Sequence, residues 1–121
     1  MAAVRYMVSD VDAAVAFYVE RLGFELDRNY APAMAIVRRG PMSLWLAGPA
    51  SSAGRPMPDG RTPEPGGWNR FVVEVSDLAA RVAELRAAGV RFRNDIVVGP
   101  GGKQIVAEDP SGNPVELFEP A

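Results

Sequence analysis

Three residues occur twice in the chain: Val8-Ser9-Asp10 returns as Val75-Ser76-Asp77, 67 positions later. Each triplet closes a short apolar run, Val4 to Val8 and Phe71 to Val75, and each opens a segment of helical spacing. Within 121 residues, such a repeat leaves room for one compact domain of two small halves. The apolar runs read as strands of about five residues.

Asp10 and Asp77 are placed to cap helices, because a carboxylate there accepts orphan backbone N–H groups and faces the positive end of the dipole. Val11, Ala14, Val15, Tyr18 and Leu22 follow at helical intervals, as do Leu78, Val82, Leu85 and Ala88. Gly23 and Gly89 end these segments, where glycine readily takes the left-handed conformation. Further strands are expected at Phe24–Arg28, Ala33–Arg38 and Ser43–Ala47, then at Val90–Arg93, Gln104–Glu108 and Pro114–Glu119. Gly40-Pro41 and Asp109-Pro110-Ser111-Gly112-Asn113 supply turn chemistry. The order is βαβββ, twice. This predicts an α+β fold of two modules forming curved mixed sheets with a concave groove. The modules span 1–48 and 68–121. Between them, 49–67 holds five prolines and four glycines and reads as a linker or ordered loop.

Composition excludes a good deal of chemistry. The chain has no histidine and no cysteine, so no imidazole base, thiol nucleophile, disulfide or N/S metal site can form. A net charge of −2 argues against a nucleic-acid partner. No apolar run approaches the roughly 18 residues of a membrane span, and Met1-Ala2-Ala3-Val4-Arg5 lacks signal-peptide character. A cytoplasmic protein is expected.

Val8-Ser9-Asp10, Ala16-Phe17-Tyr18, Leu22-Gly23-Phe24 and the stretch Glu108-Asp109-Pro110-Ser111-Gly112-Asn113-Pro114-Val115-Glu116-Leu117 resemble the vicinal oxygen chelate superfamily, the glyoxalase/bleomycin resistance/dioxygenase fold. The resemblance covers both halves. It implies four metal-ligand positions in the enzymes, which here carry Ala3, Trp45, Arg70 and Glu116. Only Glu116 can donate to a divalent cation, and an arginine adds repulsion. No metal, cofactor or catalytic residue is therefore expected. The resemblance is to the metal-free, bleomycin-resistance-like branch, whose members are dimers that hold a drug in crevices.

Strand alternation puts Tyr6, Val8, Phe71, Val73 and Val75 beneath the helices. The opposite face receives Ala3, Arg5, Met7, Ser43, Trp45, Ala47, Arg70, Val72, Glu74, Pro114, Glu116 and Phe118, apolar surface with a few polar anchors, as in a ligand pocket. Trp45 offers a stacking surface, although a lone tryptophan is more often simple packing. Trp68 reads as a crevice wall or as an anchor for the loop before it. Arg70 and Glu116 read first as a self-satisfied ion pair, with ligand contact in addition. Arg5, Met7 and Phe118 line the same face, and Tyr30 is placed at an entrance. The Gly99-Pro100-Gly101-Gly102-Lys103 run lacks phosphate-loop spacing and reads as a hairpin loop.

The leading expectation is a homodimeric binding protein that sequesters a small hydrophobic or aromatic compound of the antibiotic type, with no nucleic-acid or membrane partner. The alternative is an enzyme of the same superfamily, a lyase, isomerase or dioxygenase using Glu116 or Glu74 as base. A third reading uses the proline-rich segment as an arm for a protein partner.

Overall fold

The computed structural model describes residues 1–121, in two compact units, Met1–Gly66 and Gly67–Ala121. In the first unit, β1 (Val4–Met7) leads into α1 (Val11–Leu22), followed by β2 (Glu25–Tyr30), β3 (Met34–Arg39) and β4 (Met42–Ala47). Asp10 caps α1 by accepting from the Ala13 N–H at 3.1 Å. Gly23 ends it in the left-handed region at φ 72°, its N–H returning to the Tyr18 carbonyl. The buried stripe of α1 is Val11, Ala14, Phe17, Tyr18 and Leu22. Val15 is only half-buried, and Phe17 takes its expected place.

The sheet order is β1-β4-β3-β2, with β1 parallel to β4 and the other pairs antiparallel. Helix α1 packs on β2, β3 and β4. Ala35, Val37, Leu44 and Leu46 are fully buried, and each larger side chain there contributes roughly 1.5–3 kcal/mol by leaving water. Their neighbours along each strand point to the other face.

The proline- and glycine-rich stretch falls largely within this unit and is ordered by local bonds. The Ser51 hydroxyl donates to the Gly48 carbonyl at 2.6 Å, a short 3₁₀ turn spans Ser52–Gly54, and the Met57 N–H donates to the Arg61 carbonyl at 2.7 Å.

The second unit contains β5 (Val72–Glu74), α2 (Leu78–Ala87), β6 (Arg91–Phe92), β7 (Val97–Gly99), β8 (Gly102–Glu108) and β9 (Pro114–Pro120). The order is β5-β9-β8-β6, with β7 also on β8 and only the β5–β9 pair parallel. Asp77 caps α2 through the Ala80 N–H at 3.2 Å, and Glu119 accepts from the Leu78 N–H at 2.6 Å. Val73, Ile105, Ala107, Val115 and Leu117 form the core layer with Leu78, Val82 and Leu85 of the helix.

Strand β7 is one more than the sequence implies. The Val90–Arg93 strand shrinks to Arg91–Phe92, and pairing with β8 resumes at Val97. Between them the Asn94 side chain stands in for backbone: its Oδ1 accepts from the Val106 N–H at 2.9 Å. Pro100-Gly101 then closes the β7–β8 hairpin. Gly102 is required next, because a Cβ there would lie 2.2 Å from the Glu119 carbonyl oxygen. Both units are therefore α+β, each a mixed sheet carrying one helix. No helix is long and apolar enough to cross a membrane.

Candidate functional site

In the first unit the register sets Arg5 of β1 beside Trp45 of β4, and Ile36 of β3 on its other side. Paired residues share a face, so Arg5, Trp45 and Ile36 form one row. Met7, Ala47, Met34 and Tyr30 form the next row on the same face. Arg5, Met7, Trp45 and Tyr30 are thus brought together on one sheet surface. Tyr30 closes the row at the edge strand and is 55% exposed.

Trp45 is half-buried. Its indole N–H donates to the Ser43 hydroxyl at 3.2 Å, and the Arg5 guanidinium lies over its ring, 5.1 Å from the centroid. An open cavity of about 250 Å3 is lined by Met1, Ala3, Val4, Arg5 and Trp45.

In the second unit, Val72 of β5, Glu116 of β9 and Val106 of β8 form a row, with Glu74, Phe118 and Gln104 in the next. Arg70, just ahead of β5, reaches this face. Its Nε and Nη2 approach Glu116 Oε1 at 3.0 and 2.9 Å, and its Nη1 donates to the Trp68 carbonyl at 3.2 Å. The pair is largely shielded, with side-chain exposures of 27% and 12%. The expected ion pair is present.

Trp68 is not buried: it is 70% exposed. What pins its segment is Arg93, a residue the sequence did not single out. The Arg93 guanidinium stacks on the Trp68 ring at 4.6 Å and donates to the Gly67 carbonyl at 2.6 Å, the Gly112 carbonyl at 2.8 Å and Glu108 at 3.0 Å. The visible hint was the Arg91/Arg93 alternation facing Glu108, an opposite-charge pattern on adjacent strands.

Neither unit's share of the four inferred metal positions fits a cation. Ala3 has no donor atom, and the polar hydrogen of Trp45 is committed to Ser43. In the other unit Glu116 Oε1 is taken by two nitrogens of Arg70, whose charge repels a metal. No three acidic side chains converge as a metal-binding group. A further depression of about 500 Å3, lined by Glu74, Val75, Ser76, Asp77, Glu119 and Pro120, lies at the start of α2. There Asp77 and Glu119 are already engaged as acceptors for the first helical N–H groups.

A family model described as the Glyoxalase/Bleomycin resistance protein/Dioxygenase superfamily matches residues 1–117. No curated protein sequence matches. Among solved structures, lactoylglutathione lyase from Agrobacterium tumefaciens is similar at TM-score 0.74 and 23% identity, over 98% of this chain and 92% of that one. A superfamily member from Sphaerobacter thermophilus has TM-score 0.72 and 24% identity, covering 98% and 97%. TnmS3, an antibiotic binding protein from Streptomyces sp. CB03234, has TM-score 0.69 and 25% identity, covering 100% and 97%.

Proposed function

The chain belongs to the glyoxalase/bleomycin resistance protein/dioxygenase superfamily, and from that premise we propose that it is a metal-independent, homodimeric binding protein that sequesters a small hydrophobic or aromatic compound of the antibiotic type. The observation that carries the reading is the Arg70–Glu116 pair at 2.9 Å. Among the four positions where the resemblance places metal ligands, it occupies the one carboxylate with a resident cation. What is left at the others is an apolar methyl at Ala3 and a stacking surface at Trp45, which suits retention of an aromatic body better than polarisation of an oxygen. The similarity to TnmS3, whose described role is antibiotic binding, points the same way.

In this reading Trp45, Arg5, Met7 and Tyr30 of the first unit are ligand contacts. So are Trp68, Arg70, Glu116 and Phe118 of the second. The Arg70–Glu116 pair contributes a neutral polar edge, and the tryptophans contribute area.

The test is a tryptophan-fluorescence titration against a panel of aromatic natural products, with chelator and with added divalent metals. Saturable quenching unchanged by chelator, and no consumption of the compound, is expected. Turnover stimulated by a metal would overturn the reading in favour of an enzyme. Light scattering at micromolar concentration should give twice the chain mass, and a monomer there removes the dimer from the proposal.

A further inference from the structure

We infer that Arg5 and Trp45 together select a ligand bearing an anionic group on a small planar aromatic body, so that the compound this protein retains is an aromatic acid rather than a base. The inference rests on the binding reading above and specifies its ligand class.

Three observations in the first unit converge. First, the Arg5 guanidinium pairs with no carboxylate; its contact is the Trp45 ring, 5.1 Å away. This sets it apart from Arg38, Arg61, Arg70 and Arg93, each of which has an acidic partner within 3.3 Å. A guanidinium lying over an aromatic ring keeps its in-plane N–H edge free, and that edge matches a carboxylate or a related planar anion bidentately. Second, the indole N–H of Trp45 is spent on Ser43 at 3.2 Å. Trp45 therefore offers ring surface and no donor, which leaves Arg5 as the polar group that sets ligand orientation. Third, the cavity beside them, about 250 Å3, is lined by Met1, Ala3, Val4, Arg5 and Trp45 and by no acidic residue. An amine placed there meets the Arg5 cation and no counter-charge. An anion meets a cation backed by a π-face.

The cavity, about 250 Å3 and open to solvent, has room for one or two fused rings. Because Arg5 is exposed, the anion contact is screened by salt, and the selectivity falls as ionic strength rises.

The experiment compares three probes of one shape on the full chain by calorimetry: 2-naphthoate, 2-naphthamide and 2-naphthylmethylammonium. We expect naphthoate to bind about 10-fold tighter than the amide at low salt, and the ammonium probe to bind weakest. The naphthoate preference should disappear in Arg5→Gln, persist in part in Arg5→Lys, and shrink in 0.5 M salt. Trp45→Ala should weaken both naphthoate and naphthamide. Equal binding of acid and amide overturns the inference while aromatic binding stands. Tighter binding of the ammonium probe, a preference unchanged in Arg5→Gln, or affinity for both naphthoate and naphthamide unchanged in Trp45→Ala, overturns it likewise. Absence of binding by all three probes at millimolar concentration overturns this inference together with the reading beneath it.

Discussion

Arg70 and Glu116 lie 46 residues apart in sequence and meet at 2.9 Å. A shielded pair of this kind has an asymmetric energetic signature: removing one member leaves the other charge short of partners, while removing both is far milder. Arg70→Ala is expected to cost about 1–3 kcal/mol in urea unfolding, and Glu116→Gln a comparable amount. The Arg70→Ala/Glu116→Gln double variant should lose less than the sum of the singles, and strict additivity would show that the pair is not coupled. Arg93 gives a second test. Its three directed hydrogen bonds need a planar fork, so Arg93→Lys, which keeps only the charge, should not rescue Arg93→Ala. Both variants should release Trp68 and shift its emission, and a fully native spectrum in either would remove the clamp. The Arg70–Glu116 pair was legible because the 67-residue repeat carries Ala3 onto Arg70 and the family resemblance implies that its strand neighbours the closing strand that bears Glu116. The Arg93 hub was legible only toward Glu108, because its other two acceptors are the Gly67 and Gly112 backbone carbonyls, which carry no side-chain signature. The exposure of Trp68 was hidden for a related reason: sequence gives the ring's area but not which side of the chain meets water.

At the scale of elements, the capped helices were the most readable part. Asp10 and Asp77 each bond the N–H three residues on, though Asp77 does so from the left-handed region at φ 49°. Strand faces also followed from alternation: Leu44 and Leu46 are buried while Trp45 between them is half-exposed. The exposed edge strand β2 carries Glu25, Asp27 and Arg28 and a register shift between Leu26 and Arg28, devices that discourage further strand pairing. What the sequence hid was β7, because Asn94-Asp95 looks like the end of a strand rather than an interruption. A side-chain amide can continue a ladder where the backbone turns aside, and that bond has no periodic mark. Asn94→Ala strands the Val106 N–H and is expected to cost about 1–2 kcal/mol. Hydrogen exchange should quicken at Val106. An unchanged Val106 exchange rate would show that water replaces the amide without loss.

The whole molecule is where the absence of histidine and cysteine and the identity of four positions act together. In one unit Ala3 and Trp45, and in the other Arg70 and Glu116, stand where the resemblance places metal ligands, and none presents a free carboxylate to a cation. If retention of an aromatic compound depends on ring surface and on Arg5, ligand-linked stability must be indifferent to metal. A ligand at 100 times its dissociation constant adds about 2.7 kcal/mol to a native state that alone binds it. For a domain of this size each kcal/mol raises Tm by roughly 2–8 °C, so the shift is easily measured in a thermal melt. The expected result is the same upward shift with a chelator as with zinc, nickel or manganese, and no shift from those metals alone. A shift that appears only with metal would mean that a cation enters beside Glu116 and displaces the Arg70 guanidinium. Arg70→Ala separates the two cases. It removes the resident cation, so a protein competent for metal should gain metal-dependent stabilisation in that variant, whereas a binding protein without a metal site should lose stability and gain nothing from metal.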